Sequence, residues 1–535
     1  MIRPKCSLLL VATAAAVAVA VPSVSMRAQQ TAQSSENQWW HHLTVLAADS
    51  MHGRRTGSAD YVKAAHYVAD QFASMGLEPG GTDGFFQTVH LADATLVADK
   101  SGIVLQRGGI DDTLHIGPEA TVQVRPTTAA NADGPLVFVG YGLHLAGVQD
   151  DLAGVDLHGK VAVYLNRMPT GLNATMFAHG RASRWKELQQ LGAVAAIAIA
   201  DAPPTGRPRQ PARPGGRPVL GLSDDPSEHG ILINVPADAA DRLFAGSGHT
   251  YAEMTALSDA HQSIPSFALQ PRLHAWLQID RTPVDAPNVA GILRGSDPVL
   301  RGQYLIVTAH LDHLGIGRPV NGDSIYNGAM DNASGIATLI ETAREFHDKH
   351  VRGRRSIVFL AVTGEEEGEL GSAYFALHPT VPQSQIVADL NTDMYLPIIP
   401  LTGVFAYGSD ESDLGRDIEP VLKARGLANF ADPEPEQVRF IRSDQYSFIQ
   451  RGIPALAFKA GYTKDTPAMK TITEWVANRY HKPSDDLNQP VNLATAVAFD
   501  AMYFDIVRAV ADRQTRPAWY KQSVFAAIPR DSKAP

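Results

Sequence analysis

The stretch Tyr304–Gly335, YLIVTAHLDHLGIGRPVNGDSIYNGAMDNASG, decides how the rest of the chain is read. Tyr304 to Thr308 is a short apolar run bounded by turn residues, the pattern of a parallel strand covered on both faces. A polar loop carrying His310, Asp312 and Asp331 follows. Side chains alternate along a strand, so His310 and Asp312 can point the same way. That pairing suits a metal-ligating imidazole with a carboxylate beside it to hold its tautomer. An isolated His-x-Asp is more often the ordinary polar end of a strand, so the weight lies in what surrounds it.

Downstream, strands and helices alternate. Asn288–Leu293 opens the run as a strand. After Tyr304–Thr308 the pattern predicts helix Gly335–Phe346, strand Ile357–Val362, helix Ser372–Leu377 and strand Val387–Asn391. Helix Asp413–Arg425, strand Ala455–Lys459 and helix Leu493–Ala511 complete it. Such alternation implies an α/β fold with a mixed, mostly parallel central sheet flanked by helices. Ligands in these sheets bind beyond the carboxyl ends of the strands. The acidic residues and histidines fall there: His310 and Asp312, Asp331 in DNASG, Glu365 and Glu366 in TGEEEGELGS, Asp393 in NTDM, and His481 in the late loop RYHKPSDD. Any one of them alone reads as a solvated loop or helix start. Together, carboxylates gathered at successive strand ends repel one another unless a divalent cation is present.

The segments AHLDHLG, GAMDNASG, GEEEGELGS, NTDM, SDQYSF and YHKPSDD, in this order, resemble the di-zinc exopeptidases of metallopeptidase family 28. The upstream LAADSMHGRRTGSADYVKAAHYVADQFASMGLEPGG is similar to the start of that fold. FVGYG followed by DLAGVDLHGKVAVYL resembles an inserted protease-associated domain. The resemblance implies a zinc-exopeptidase fold with two Zn2+ per chain. Asp331 would bridge the ions, His310 and Asp393 would complete one position, and Glu366 and His481 the other. Glu365 would be the general base, Asp312 would orient His310, and Asp485 would do the same for His481. A cis peptide is implied after Asp331. Zinc accepts imidazole and carboxylate and keeps an open position when catalytic, which agrees with this set. Taking Glu365 rather than Glu366 as the base keeps Gly368, Gly371 and Ser372 in step with the family's pattern. Glu369 and Gln445 depart from that pattern, and His313 is expected to be a non-ligand.

The implied activity is a secreted zinc aminopeptidase acting on the N-terminal residues of peptides. Rival readings are a carboxypeptidase of the glutamate carboxypeptidase type, a glutaminyl cyclase, and a non-catalytic binding protein of transferrin-receptor type. The first rival needs a basic pocket, for which Arg439, Arg442 and Lys459 are candidates. The complete donor set argues against the last.

Upstream, Gln38–Ala48 and Tyr61–Met75 read as helices with Gly76 as a C-cap. Trp39 and Trp40 are expected to pack under a domain edge, with His41 and His42 solvated. The expected insert runs from 120 to 275 between an N-terminal peptidase part (29–119) and the catalytic part (276–515), with a tail over 516–535. Inside the insert, strands Gly134–Val139, Lys160–Leu165 and Ala193–Ala200 and helix Arg181–Leu191 are expected. The stretch 202–218, rich in Pro, Gly and Arg, reads as an exposed loop.

Composition bounds the rest. At 535 residues, several domains are expected, and 44% hydrophobic residues support a sizeable core. A net charge of -10 with no basic run argues against nucleic acid as a partner. Arg3 and Lys5, the apolar run Leu8–Val21 and an Ala-x-Ala site at Ala18–Ala20, with Ala28 as a later candidate, read as a signal peptide over 1–28. The expected location is secreted or periplasmic, with no membrane span in the mature chain. Cys6 is the one cysteine and lies inside that segment, so no disulfide is expected to hold the fold.

Overall fold

A computed structural model of the protein describes residues 21–200 and 218–530. Most of the expected signal peptide, including Cys6, and nearly all of the 202–218 loop lie outside the described residues.

The chain is α/β, built on two sheets. The first has ten strands, nine of which run in the order Val219–Leu222, Phe86–Leu96, Ile279–Leu293, Ser356–Val362, Tyr304–His310, Ile386–Thr392, Ala455–Ala460, Gly403–Tyr407 and Ala428–Asn429. The four strands from Ser356–Val362 to Ala455–Ala460 pair in parallel. Antiparallel strands flank this block on both sides. The parallel strands are buried along their whole length except at Lys459, which is why they read as mostly apolar runs; the buried Asp389 and Asn391 of the third both meet the Thr308 hydroxyl. Their side chains still alternate between two cores. Leu305, Val307, Ile357 and Phe359 enter one, and Tyr304, Ile306, Val358 and Leu360 the other.

Helices cover both faces. Val21–Leu46, Ala59–Ser74, Ser334–Asp348 and Leu493–Asp512 share the larger core, and Leu370–Leu377 and Gln445–Ile449 the smaller. Helix Ala59–Ser74 shows why these segments fold as they do. Ser58 caps it by accepting from the Tyr61 amide, and Tyr61, Ala64, Ala65, Val68 and Phe72 form one buried stripe. Among the described residues no helix is long and apolar enough to cross a membrane.

Strand Tyr304–His310 lies between the two strands that follow it in sequence within the parallel block, Ser356–Val362 on one side and Ile386–Thr392 on the other. Strand order therefore reverses here, and the crevice for a ligand opens beyond its carboxyl end, where His310 stands.

The second sheet has eight strands drawn from between Gly102 and Trp276, with its own core. It starts ahead of the expected boundary at 120. One strand inside its span, Val219–Leu222, crosses over to pair with Phe86–Leu96 of the first sheet. Its helix Ala174–Gln190 reaches the peptidase side, where His179 Nδ1 lies 2.9 Å from Tyr446 Oη. Within the expected tail, Phe525 is fully buried against the rings of His179 and Phe440.

Two local expectations change. His42 is buried, not solvated, because Tyr67 (2.7 Å) and Glu341 (3.1 Å) engage its two ring nitrogens. The loop between His313 and Asn327 is a two-stranded hairpin, Gly315–Val320 with Asp323–Tyr326.

Candidate metal centre

The site lies at the carboxyl ends of three neighbouring parallel strands. His310 ends the first, Thr363–Glu366 follows the second, and Asp393 follows the third. Asp331 comes from the turn before helix Ser334–Asp348, and His481 from the loop ahead of the last long helix.

These side chains converge. His310 Nε2 is 3.3 Å from Asp331 Oδ1 and 3.6 Å from Asp393 Oδ1. His481 Nε2 is 3.3 Å from Asp331 Oδ2 and 3.0 Å from Glu366 Oε2. Asp331 thus presents one oxygen to each imidazole, and the set divides into two halves that share it. Glu365 Oε2 stands 3.9 Å from His310 Nε2. Glu367, the third acid of the run, is exposed and faces Arg55 at 3.5 Å, away from this cluster.

The electrostatics follow from that crowding. Burial would depress His310, yet Glu365, Asp331 and Asp393 hold its imidazole well above the ordinary value. Burial opposes His481 too, and Asp331 and Glu366 push it up to about 10. Burial would raise Asp331, but the approach of His310 and His481 carries it well below the carboxylate range. Glu365 is lifted well above its usual value by burial, with Asp393, Asp444 and Glu366 adding to the effect.

The donors fit a divalent cation. His310 Nε2 is buried among three carboxylates with no hydrogen-bond partner. Buried polar atoms are normally paired, so an orphan aimed into an acidic cluster marks a place for positive charge. The groups His310–Asp331–Asp393 and His313–Asp331–Glu366 each bring three ligand atoms within 4.8 Å of one another. Imidazole with carboxylate is a donor set that zinc takes.

The supporting residues differ from expectation in two places. His310 Nδ1 meets the Asp312 backbone carbonyl at 3.2 Å, while the Asp312 carboxylate is 3.9 Å away. That carboxylate instead accepts from Thr56 Oγ1 (3.1 Å) and from the amides of Glu365 (3.2 Å) and Glu366 (3.4 Å). Asp485 holds the Asp331 turn and not His481: its oxygens accept from the amides of Met330 (2.9 Å) and Asp331 (3.0 Å). Both acids therefore fix backbone that carries donors. The Asp331–Asn332 peptide is cis.

Arg54 escaped the sequence reading, hidden in a glycine-rich segment. It is fully buried and donates to the carbonyls of Leu46, Leu311, Asn327 and Gly328, so one guanidinium ties both ends of the hairpin segment to the fold. Gln445 faces the core, accepting from Asn391 at 2.7 Å and donating to the Phe440 carbonyl at 2.9 Å. His313 is buried beside Glu366, Nδ1 to Oε1 2.6 Å.

A probable zinc metalloprotease of Pyrenophora teres f. teres is 34% identical over 112 residues, 21% of this chain and 23% of that protein. A probable leucine aminopeptidase of Trichophyton verrucosum is 27% identical over 221 residues, 40% of this chain and 53% of its own length. Carboxypeptidase Q of Rattus norvegicus is 24% identical over 161 residues, 29% of this chain and 30% of that protein. The chain thus spans from about a quarter to about half of these relatives. Residues 288–507, which hold every metal-donor candidate described above, match Peptidase family M28.

Proposed function

We propose that the protein is an exported, zinc-dependent aminopeptidase that removes N-terminal residues from peptides. One ion would be held by His310, Asp331 and Asp393, and a second by Asp331, Glu366 and His481. Bound there, zinc supplies Lewis acidity toward water and the scissile carbonyl. The chain's own part is proton handling and positioning. Glu365, a carboxyl whose hold on a proton is strengthened by burial, takes the proton of the attacking water at Oε2 and returns it to the departing amine. Asp312 holds the Glu365 and Glu366 amides, so the base and its neighbour move as one unit.

The observation that carries the aminopeptidase reading is the charge of the crevice. Glu365 stands in it with Asp444 close by, carboxyls that neither ion would take up, a surrounding that favours a substrate's cationic α-amine over a carboxylate. Arg439, a candidate anchor for a C-terminal carboxylate, is engaged by Asp432 at 3.2 Å and Glu434 at 2.6 Å. A carboxypeptidase reading keeps one argument, the positive charge of Lys459 acting on Asp393.

The test compares aminoacyl chromogenic substrates with a free α-amine against the same set acetylated, with and without a chelator. Chelator-sensitive cleavage of the free-amine set alone supports the proposal. Release of C-terminal residues from N-blocked peptides would replace it with the carboxypeptidase reading. Fractionation of the producing cell, with N-terminal sequencing, tests export.

A further inference from the structure

His313 belongs to no donor set that the family resemblance implies, yet its surroundings are those of a ligand. Its side chain is fully buried and both ring nitrogens lack a hydrogen-bond partner. Glu366 Oε1, 2.6 Å from Nδ1, is also buried and without one. A contact that short would be a strong charge-assisted hydrogen bond if donor and acceptor were aligned. They are not: the pair stands in close contact while both buried atoms are left without a hydrogen bond. Native interiors rarely tolerate that, and an ion on which both lone pairs converge resolves it.

Three further observations agree. His313, Asp331 and Glu366 offer ligand atoms within 4.8 Å of one another. The rings of His313 and His481 have centroids 5.9 Å apart. Two imidazoles bound through nitrogen to one zinc, at about 2.0–2.1 Å each, place their ring centres roughly 5–6 Å apart. The ring is also held in place. Gly328, at φ +61°, leaves the room it occupies, since a Cβ there would come within 2.5 Å of His313 Cγ.

We infer that His313 is a further ligand of the second metal position, joining Asp331, Glu366 and His481. The inference rests on the di-metal reading given above and goes beyond it, because it makes the two positions unequal. His310, Asp331 and Asp393 form a three-donor position beside the base Glu365, the open arrangement of catalytic zinc. With His313, the second position would draw on four side chains, Asp331, Glu366, His481 and His313, one more than the first. The second ion is then the tighter of the two and serves to fix Asp331 and Glu366.

The experiment measures zinc per chain by mass spectrometry across a chelator series, for the full chain and for His313→Phe and His313→Asn. Melting curves of the metal-free forms report folding. Wild type is expected to release its ions in two separate steps. Phe keeps a ring against Gly328 but offers no ligand. Asn offers an amide near the position of Nδ1, able to hydrogen-bond Glu366 but a poor zinc ligand. Both variants are expected to weaken the tighter step at least 100-fold and to leave the weaker step in place. Wild-type affinity in His313→Asn would overturn the ligand role and leave hydrogen bonding to Glu366. Wild-type affinity in His313→Phe would overturn any role. Should His313→Phe fail to fold, His313→Asn decides alone. A wild-type chain that binds a single ion would instead refute the di-metal reading beneath.

Discussion

Asp485 Oδ2 accepts a hydrogen bond from the backbone amide of Asp331 at 3.0 Å, and its other oxygen accepts from Met330 at 2.9 Å. A residue of the last loop thereby fixes the residue at the centre of the donor cluster. Asp485→Ala leaves two buried amides unpaired, at a cost of about 1–3 kcal/mol for each. The expected outcome is a lower melting temperature together with weaker retention of both ions, read by zinc content after dialysis. Unchanged zinc content would show that the Asp331 turn holds its shape without this acid.

Glu365→Gln keeps the size of the side chain and removes its ability to take a proton. It is expected to leave zinc content unchanged and to lower kcat by roughly 10²–10⁴-fold. A variant with near-normal kcat would exclude Glu365 as the base.

Arg54→Lys retains a positive charge but cannot reach four carbonyls with one fork. The carbonyls of Leu46, Leu311, Asn327 and Gly328 would lose part of their hydrogen bonding inside the fold. The variant is expected to be destabilised by several kcal/mol, on the order of 1–3 kcal/mol per orphaned group, in urea melts. Wild-type stability would reduce Arg54 to a replaceable cation.

His179 makes the contact between helix Ala174–Gln190 and Tyr446 sensitive to acid. Burial lowers its value from 6.5 to about 4 in the folded chain. As pH falls, the unfolded chain therefore binds the proton first. Stability from this group is intact above about 6.5, is lost progressively down to about 4, and levels off below that, for a total of roughly 3 kcal/mol. Urea midpoints at pH 7 and pH 4.5 should differ less in His179→Asn than in wild type. An equal difference in both would show that His179 does not carry the effect.

How much of this was legible in sequence depends on the range of the interaction. The parallel strands were readable because burial on both faces favours mostly apolar runs, and the predicted Ile357–Val362 and Val387–Asn391 fall within one residue of the observed ends. Helix Ala59–Ser74 was readable from its stripe and from Gly76 beyond it. The convergence of His310, Asp331, Glu366, Asp393 and His481 was visible only as an ordered set of short motifs, since their separations along the chain have no local periodicity.

What the sequence by itself determined, then, is the alternation of elements and the donor residue types at the strand ends, because both are written in nearest-neighbour burial and turn chemistry. Tertiary structure alone decided the partners. The Asp312 carboxylate holds the Glu365 and Glu366 amides while its backbone carbonyl meets the His310 ring, Asp485 holds Asp331 and not His481, and Arg54 reaches carbonyls more than 250 residues away. Which oxygen meets which donor is set by how loops from distant parts of the chain pack over one strand order. His313 shows the same limit. In sequence it is a histidine next to a motif, and its burial against Gly328 with both nitrogens unpaired exists only once the hairpin and the Glu366 loop close over it.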